Sequence, residues 1–205
     1  SPYYSPQIVP DSWPGFGPEF MRTPAILILW VPLTFRMTCY YYRKSYYRSY
    51  FLSPPACAVG EGEGRPYTGE RSIFAFQNYH RYALPFALAL VVFLSYDAVK
   101  AFFFDEGFGI GVGTLVLLVN AVAIGGYTLG CHSLRHLIGG GLDCFSCSPV
   151  SRVRHRGWRF VTFLNERHGQ LAMFSLVWVL LTDLYVRLVA MEVFTDPYFI
   201  MISAN

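Results

Sequence analysis

The stretch of sequence that decides the fold reads FGIGVGTLVLLVNAVAIGGYTLGCHSLRHLI, from Phe108 to Ile138. A helix needs about 20 apolar residues to cross the hydrocarbon core of a bilayer, and this run is long enough. Its many glycines allow neighbouring helices to approach closely in lipid. It ends on a thiol and two imidazoles, at Cys131, His132 and His136. Such groups at the mouth of a membrane helix are costly and usually mark a cofactor, a proton route or a substrate, so we predict a functional site there.

Two further apolar segments flank this run, from about Tyr82 to Phe104 and from about Gln170 to Val193. Only 14% of the 205 residues are charged and 54% are hydrophobic, whereas soluble domains average about 25% charged residues. We therefore predict an all-α membrane protein in which residues 69–205 form a bundle of three transmembrane helices. A net charge of +3 is too small to indicate nucleic acid as a partner.

The residues that precede the three apolar segments fall into two parts, and the first part shows no helical periodicity. Residues 1–34 are rich in proline, glycine and aromatic residues, and we predict an extended N-terminal arm. Its apolar run, Thr23–Leu33, is too short to span and should lie in the interface or re-enter the membrane. Residues 35–68 are predicted to be an amphipathic interfacial segment and a loop, because tyrosines alternate with basic residues over Phe35–Phe51. Arg36, Cys39 and Arg43 are predicted to share a face of this helix.

The distribution of basic residues predicts the orientation. Residues 139–165 are predicted to form a polar loop, and this region with its border carries five arginines: Arg152, Arg154, Arg156, Arg159 and Arg167. The other loop carries only Asp105 and Glu106. By the positive-inside rule, the N-terminus and the arginine-rich loop should be cytoplasmic, in a multi-pass protein of the cell inner (plasma) membrane.

This orientation gathers the metal-capable groups at the cytoplasmic face. They are His80, His132, His136 and His168, with Cys39 and Cys57 on the preceding segment. Three interpretations stay open: a haem b with two axial histidines, a mixed Cys/His site holding a [2Fe–2S] centre, or histidines that only pair locally. Three arginines at the same level, Arg43, Arg81 and Arg135, could hold a quinone carbonyl or its developing anion; the alternative is that they reach lipid headgroups.

The sequence Cys144-Phe145-Ser146-Cys147 lies in the predicted polar loop. A zinc site needs four ligands, and only His155 is near. The odd number of cysteines, five, argues against a disulfide framework. We therefore interpret these as two loop thiols with no required role.

Several long motifs together resemble one family, the membrane-anchor subunit of the actinobacterial-type succinate dehydrogenase. They are Cys39-Tyr40-Tyr41-Tyr42-Arg43-Lys44-x-Tyr46-Tyr47-Arg48, Ser53-Pro54-Pro55-Ala56-Cys57-Ala58-Val59, Tyr67-Thr68-Gly69-Glu70, Gln77-Asn78-x-His80-Arg81-Tyr82, Cys131-His132-Ser133-x-Arg135-His136, Asn165-x-Arg167-His168 and Thr182-Asp183-x-Tyr185. The likeness covers Phe35 to Ala190. The chain departs from the family pattern at Leu134, where a cysteine is expected, so this position supplies no ligand.

The resemblance implies a function. A flavoprotein subunit oxidises succinate, and a soluble iron–sulfur subunit docks on the cytoplasmic face of the anchor. Electrons then pass to menaquinone or another quinone through a Rieske-type [2Fe–2S] centre in the anchor. Membrane lipid is the other expected partner, nucleic acid is not, and a higher oligomer stays open. Two alternatives remain: a haem b-binding anchor of the same complex, and a purely structural tether.

The resemblance also implies which residues hold the centre. A Rieske site takes two cysteines and two histidines, and we expect Cys39 and Cys131 with His80 and His168. The alternates are Cys57, His132 and His136. His132 or His136 would then serve quinone protonation, because an unperturbed imidazole changes charge near physiological pH.

Overall fold

The computed structural model describes residues 26–42, 79–104 and 107–203. Their helices and strands, in chain order, are α1 (Ile26–Met37), α2 (Tyr79–Lys100), β1 (Phe103–Phe104), β2 (Gly107–Gly111), α3 (Val112–Leu129), α4 (His132–Gly139), α5 (Pro149–Glu166), α6 (His168–Ala190) and β3 (Tyr198–Ser203). Three of these helices, α2, α3 and α6, are long and apolar enough to cross a membrane. The predicted class, an all-α membrane protein with three transmembrane helices, is confirmed.

Helix α3 is the central helix of the bundle, because it packs against both α2 and α6. Small residues bring the helices together: a Cβ added at Gly125 would lie 3.6 Å from Val91 of α2, and one at Gly126 would lie 3.3 Å from Leu171 of α6. Small residues at such interfaces allow the close packing that drives helix association in lipid. Gly125 and Gly126 therefore face neighbouring helices, as the sequence predicts, and Gly126 is the more closely packed of the two.

The predicted second segment is divided near its end. Helix α3 ends at Leu129, Gly130 follows, and Cys131 caps a separate helix, α4. A Cβ at Gly130 would lie 2.9 Å from the carbonyl oxygen of Gly126 and 3.1 Å from that of Leu164, so only glycine fits without a shift. The chain therefore turns at the end of the span instead of continuing to Ile138.

The region predicted as a polar loop is largely helical, and this is a correction. Helix α5 begins where the Ser148 side chain accepts a hydrogen bond from the Ser151 N–H at 3.0 Å, with Pro149 at its first position. Serine before proline is a common start of a helix. The helix packs on α4, and Arg154 donates to the carbonyls of Ile138 and Gly140 at 2.9 and 2.8 Å.

The interpretation of Cys144 and Cys147 as free loop thiols is also corrected. The two sulfurs form a disulfide just before α5. An odd number of cysteines excludes the pairing of all of them, but it allows one local disulfide. The turn between Cys144 and Cys147 brings their Cα atoms to 5.7 Å, which is within the usual range for a disulfide.

The segment before the bundle is helical from Ile26, which includes part of the predicted extended arm. With 12 residues, α1 is too short to cross the membrane, and it packs against α2. It contains Pro32 and ends at Met37, so the helix expected from residue 35 onward is interrupted there. The rest of that Tyr- and Arg-rich stretch, from residue 43, lies outside the described residues.

A small antiparallel sheet closes the other end of the bundle. Its strand order is β1-β2-β3, with Phe103 opposite Phe108 and Phe108 opposite Ile202. Beside it, one carboxylate oxygen of Asp196 accepts hydrogen bonds from the Gly113 N–H at 2.9 Å and the Tyr185 hydroxyl at 2.5 Å. We call this group the Asp196 clasp. It joins the start of α3 to the end of α6.

Candidate redox site

Two thiols and two imidazoles come together at the end of the bundle opposite the sheet. Cys39 Sγ lies 3.4 Å from His168 Nε2, and Cys131 Sγ lies 2.9 Å from His80 Nε2. Both cysteines belong to one buried cluster, with Cys39 2% exposed and Cys131 0%. We call these four residues the Cys/His site.

The fold positions each of the four from a different segment. Cys39 follows α1, His80 lies in the first turn of α2, Cys131 lies at the joint between α3 and α4, and His168 begins α6. Since α2 and α6 start at the end where α3 finishes, the antiparallel bundle brings all four to the same end. The sequence predicted this gathering from the orientation of the spans.

The hydroxyl of Thr38 determines the tautomer of His80. It lies 2.6 Å from the carbonyl oxygen of Thr34 and 3.1 Å from His80 Nδ1. A hydroxyl has a single proton, and the carbonyl can only accept it, so Thr38 must accept the proton of Nδ1. The unprotonated Nε2 then directs its lone pair toward Cys131. A metal-binding histidine is normally held in this way by a partner on its other nitrogen.

Aromatic rings cover the imidazoles. Phe35 stacks on His80 with ring centroids 4.3 Å apart, and Tyr127 stacks on His168 at 4.9 Å. The two covering rings meet edge to face at 5.7 Å. The site is therefore enclosed by apolar surface, which restricts the access of water and lowers the local dielectric.

The surroundings of Cys131 act on its ionisation in two directions. Burial raises the pKa of the Cys131 thiol, while the N–H groups of Leu134 and Ser133 at the start of α4 lower it. The Ser133 N–H lies 3.3 Å from the sulfur. Burial is the larger effect, so the thiol carries its proton when no metal is bound, and binding a metal releases that proton.

The alternates and quinone candidates lie elsewhere. His132 and His136 are exposed on α4, with ring centroids 6.2 Å apart, and the pKa of His132 is lowered by partial burial and by His136 and Arg135. Arg135 donates to Thr162 Oγ1 at 3.0 Å and lies over the Trp158 ring. Arg81 is exposed at the start of α2. Cys57 and Arg43 lie outside the described residues.

Arg36 is the neighbour of the site that the sequence analysis did not select. Its guanidinium enters the bundle and donates to the Tyr42 hydroxyl at 2.6 Å, to the Ala172 carbonyl at 3.2 Å and to Ser175 Oγ at 2.9 Å. The sequence does contain an indication of this role, because Arg36 ends an apolar run and lies one turn before a cysteine. The interpretation of residues 35–51 as an interfacial helix instead predicts Arg36 at headgroup level, with the other basic residues of that stretch.

The donors of the Cys/His site are arranged in pairs. Among the described residues, no three side chains of the His, Cys, Asp and Glu types are arranged to hold one metal ion. The donors instead form two pairs, each with one thiol and one imidazole. Two thiols and two imidazoles are together a donor set that a two-iron group can use.

The three-span bundle, with two cysteines and two histidines gathered at one end, defines a helical membrane protein. Residues 1–192 match the family of the actinobacterial succinate dehydrogenase subunit SdhC. The chain belongs to this family and is a membrane subunit of succinate dehydrogenase, which confirms the predicted enzyme and its multi-subunit nature.

One solved structure supports this assignment. A chain of the Mycobacterium smegmatis Sdh1 complex in the apo form is 42% identical to this one, with a TM-score of 0.77. The match covers 92% of this chain and 70% of that chain. A comparison with curated proteins found no match.

Proposed function

We propose that this subunit passes electrons from a soluble iron–sulfur subunit to a quinone through a Rieske-type [2Fe–2S] centre held by Cys39, Cys131, His80 and His168. The observation that carries the proposal is the pair of thiol–imidazole contacts, at 3.4 and 2.9 Å, in a buried pocket. A centre of this kind, when bound, accepts and gives up one electron at a time.

The donor chemistry fits that group. Two cysteines and two histidines are the set that a Rieske centre uses, and the fixed tautomer of His80 leaves Nε2 free to bind. The fit with a bis-histidine haem is poorer, because the Nε2 atoms of His80 and His168 each lie against a cysteine sulfur, at 2.9 and 3.4 Å. The pairing of one thiol with one imidazole differs from a Rieske centre, in which both histidines bind the same iron.

The protein's own residues would have three tasks. Phe35 and Tyr127 exclude water from the imidazoles, and Thr38 holds the Nδ1 proton of His80. Reduction of a quinone to a quinol takes two protons with its two electrons, and we assign this proton transfer to His132 or His136, which are exposed on α4. Arg135, beside them, would hold the quinone carbonyl together with Arg81 and Arg43; menaquinone is the quinone that the family resemblance favours.

The proposal includes an orientation in the plasma membrane. Helix α5 carries Arg152, Arg154, Arg156 and Arg159 at the end of the bundle that holds the Cys/His site, which makes that end cytoplasmic by the positive-inside rule. The proposal keeps the sequence-based prediction that the N-terminus is cytoplasmic. The iron–sulfur subunit, with the flavoprotein subunit bound to it, would dock there and deliver electrons over a short distance.

The test is a cofactor analysis of the purified succinate dehydrogenase complex. We expect iron and acid-labile sulfide beyond the content of the soluble subunits, and an additional Rieske-like signal in electron paramagnetic resonance. Cys39→Ser and Cys131→Ser should each abolish that signal. The control is Cys144→Ser, which removes a cysteine of the disulfide before α5 and should leave the signal intact.

Three results would contradict the proposal. Sharp haem bands in the reduced-minus-oxidised spectrum, without the extra signal, would show a haem b anchor. Only the soluble subunit's centres, without haem, would show a structural tether. Survival of the signal in both cysteine variants would show that the centre has other ligands.

A further inference from the structure

Arg36 places a full positive charge inside the bundle, among neutral groups. Its guanidinium donates to a phenol hydroxyl, a backbone carbonyl and a serine hydroxyl, those of Tyr42, Ala172 and Ser175. Its central carbon also lies 4.6 Å from the centre of the Tyr127 ring. Each of these contacts is favourable for a cation, but none of them neutralises its charge.

The charge has no acidic partner in the part of the chain that the structure describes. The ion pairs found there are Arg167–Glu166 and Arg187–Asp183, both on exposed surfaces away from Arg36. Removing a cation from water without a counterion is costly, and such residues in membrane proteins usually have a functional reason. A positive charge in this place is therefore suited to an anion that arrives from elsewhere.

The Cys/His site is the nearest place where such a charge would develop. Arg36 lies one helical turn before Cys39, and its acceptor Ala172 lies one turn after His168. The Tyr127 ring over which the guanidinium lies is the ring that stacks on His168. A single aromatic ring thus connects the arginine to one of the proposed ligands, within an apolar cluster where charges are weakly screened.

We infer that Arg36 is a positioning residue whose fixed positive charge stabilises the reduced state of the centre at the Cys/His site. This inference rests on the proposed function. One electron reaches the centre from the soluble iron–sulfur subunit and leaves to the quinone; no bond forms or breaks, and the reduced centre is one unit more negative. A fixed cation favours that state and raises the midpoint potential.

The experiment is a redox titration of the intact complex, followed by electron paramagnetic resonance of the extra signal. In Arg36→Gln we expect the ratio of reduced to oxidised centre at a fixed ambient potential to fall about tenfold, a downward shift of about 59 mV for a one-electron couple. Arg36→Lys keeps the charge and should restore most of the potential. Arg154→Gln is the control, because it removes another partly buried arginine, one that donates to two backbone carbonyls; it should leave the potential unchanged.

A second pair of variants tests the charge while the arginine stays in place. The Tyr42 hydroxyl lies 2.6 Å from the guanidinium, so Tyr42→Glu brings a carboxylate within reach and neutralises Arg36. Tyr42→Gln has nearly the same shape without the charge. We expect a lower midpoint potential in Tyr42→Glu than in Tyr42→Gln, and this comparison remains valid if Arg36→Gln fails to assemble.

The outcomes separate this inference from the proposed function. Absence of the extra signal from the wild-type complex would overturn both. A signal with the same midpoint in Arg36→Gln and wild type, or in the two Tyr42 variants, would overturn only the role of Arg36. Equal losses of potential in Arg36→Gln and Arg36→Lys would show that Arg36 is needed for packing and not for its charge.

Discussion

Thr38 lies between the backbone of α1 and the imidazole of His80, and it uses both hydrogen-bonding functions of its hydroxyl group. Thr38 is only 2% exposed, so its hydroxyl is shielded from water. It donates to Thr34 and accepts from His80 Nδ1. The sequence predicted His80 as a ligand, but nothing in the sequence pairs Thr38 with it, because the two residues are 42 positions apart in the chain.

We predict that Thr38→Val weakens the binding of iron at the site. Valine has the shape of threonine but cannot accept the Nδ1 proton, so His80 loses its fixed tautomer. Removing such a partner typically costs 10- to 100-fold in metal affinity, and leaving a buried donor unpaired costs about 1–3 kcal/mol of stability. The iron and sulfide content of the purified complex, after dialysis against a chelator, measures the effect.

Two variants control this prediction. Thr38→Ser keeps the hydroxyl and should retain iron as the wild type does. Thr182→Val removes a buried hydroxyl on α6 that donates to the carbonyl of Trp178 at 2.9 Å, and it should also retain iron. Equal iron loss in Thr38→Val and Thr182→Val would mean that the loss reflects general destabilisation.

At the scale of elements, a glycine at each end of α3 lies in close contact with another part of the protein. At the site end, Gly130 allows the turn into α4 that places Cys131. At the sheet end, Gly113 lies against the carboxylate of Asp196, and a Cβ there would lie 2.6 Å from one of its oxygens. The glycine-rich sequence predicted close approach in general, but it could not distinguish glycines that contact a neighbouring helix from those that contact a carboxylate.

We predict that Gly113→Ala lowers the stability of the complex and Gly125→Ala does not. The alanine at 113 must push Asp196 out of the clasp, and overpacking of this kind costs about 1–3 kcal/mol. At Gly125 the nearest atom would be 3.6 Å away, which is ordinary contact. The midpoint of thermal unfolding in detergent should fall by several degrees in the first variant only. Equal midpoints in both would show that the clasp does not contribute to stability.

Helix α5 lies in the region for which the sequence analysis predicts a polar loop, and this prediction is wrong. The arginines of this stretch suggested a solvated loop, whereas Ser148 and Pro149 mark the start of a helix. The helix is stable because it packs on α4 and because Asn165 donates to the Gly130 carbonyl at 2.8 Å. These contacts are tertiary, and a charge count along the chain does not register them.

In the whole molecule, the candidate site and the β-sheet lie at opposite ends of the helical bundle. The Cys/His site, α4 and the arginines of α5 lie at one end, and the sheet and the Asp196 clasp lie at the other. Helix α6 begins at the site and ends beside the sheet, so β3 lies on the opposite side of the membrane from the site. This follows from the three helices, while the side that faces the cytoplasm is part of the proposed function.

We predict that a membrane-impermeant maleimide applied to intact cells labels Thr195→Cys but not Asp143→Cys. Both residues are exposed, one near the sheet and the other before α5. The variants are made in a background with Cys144 and Cys147, the disulfide pair, replaced by serine, so that neither sulfur can react with the maleimide. Labelling after the cells are opened is the control, since both positions should then react. The reverse pattern in intact cells would invert the proposed orientation.

The sequence by itself determined the three membrane helices, their order and the end at which the thiols and imidazoles gather. These features depend on the length and polarity of continuous runs, which the bilayer selects directly. Only the tertiary structure decided that Cys39 faces His168 and Cys131 faces His80, that Thr38 sets a tautomer, and that Arg36 enters the bundle. Such contacts join residues far apart in the chain, so they depend on how the helices rotate and pack, which no local pattern records.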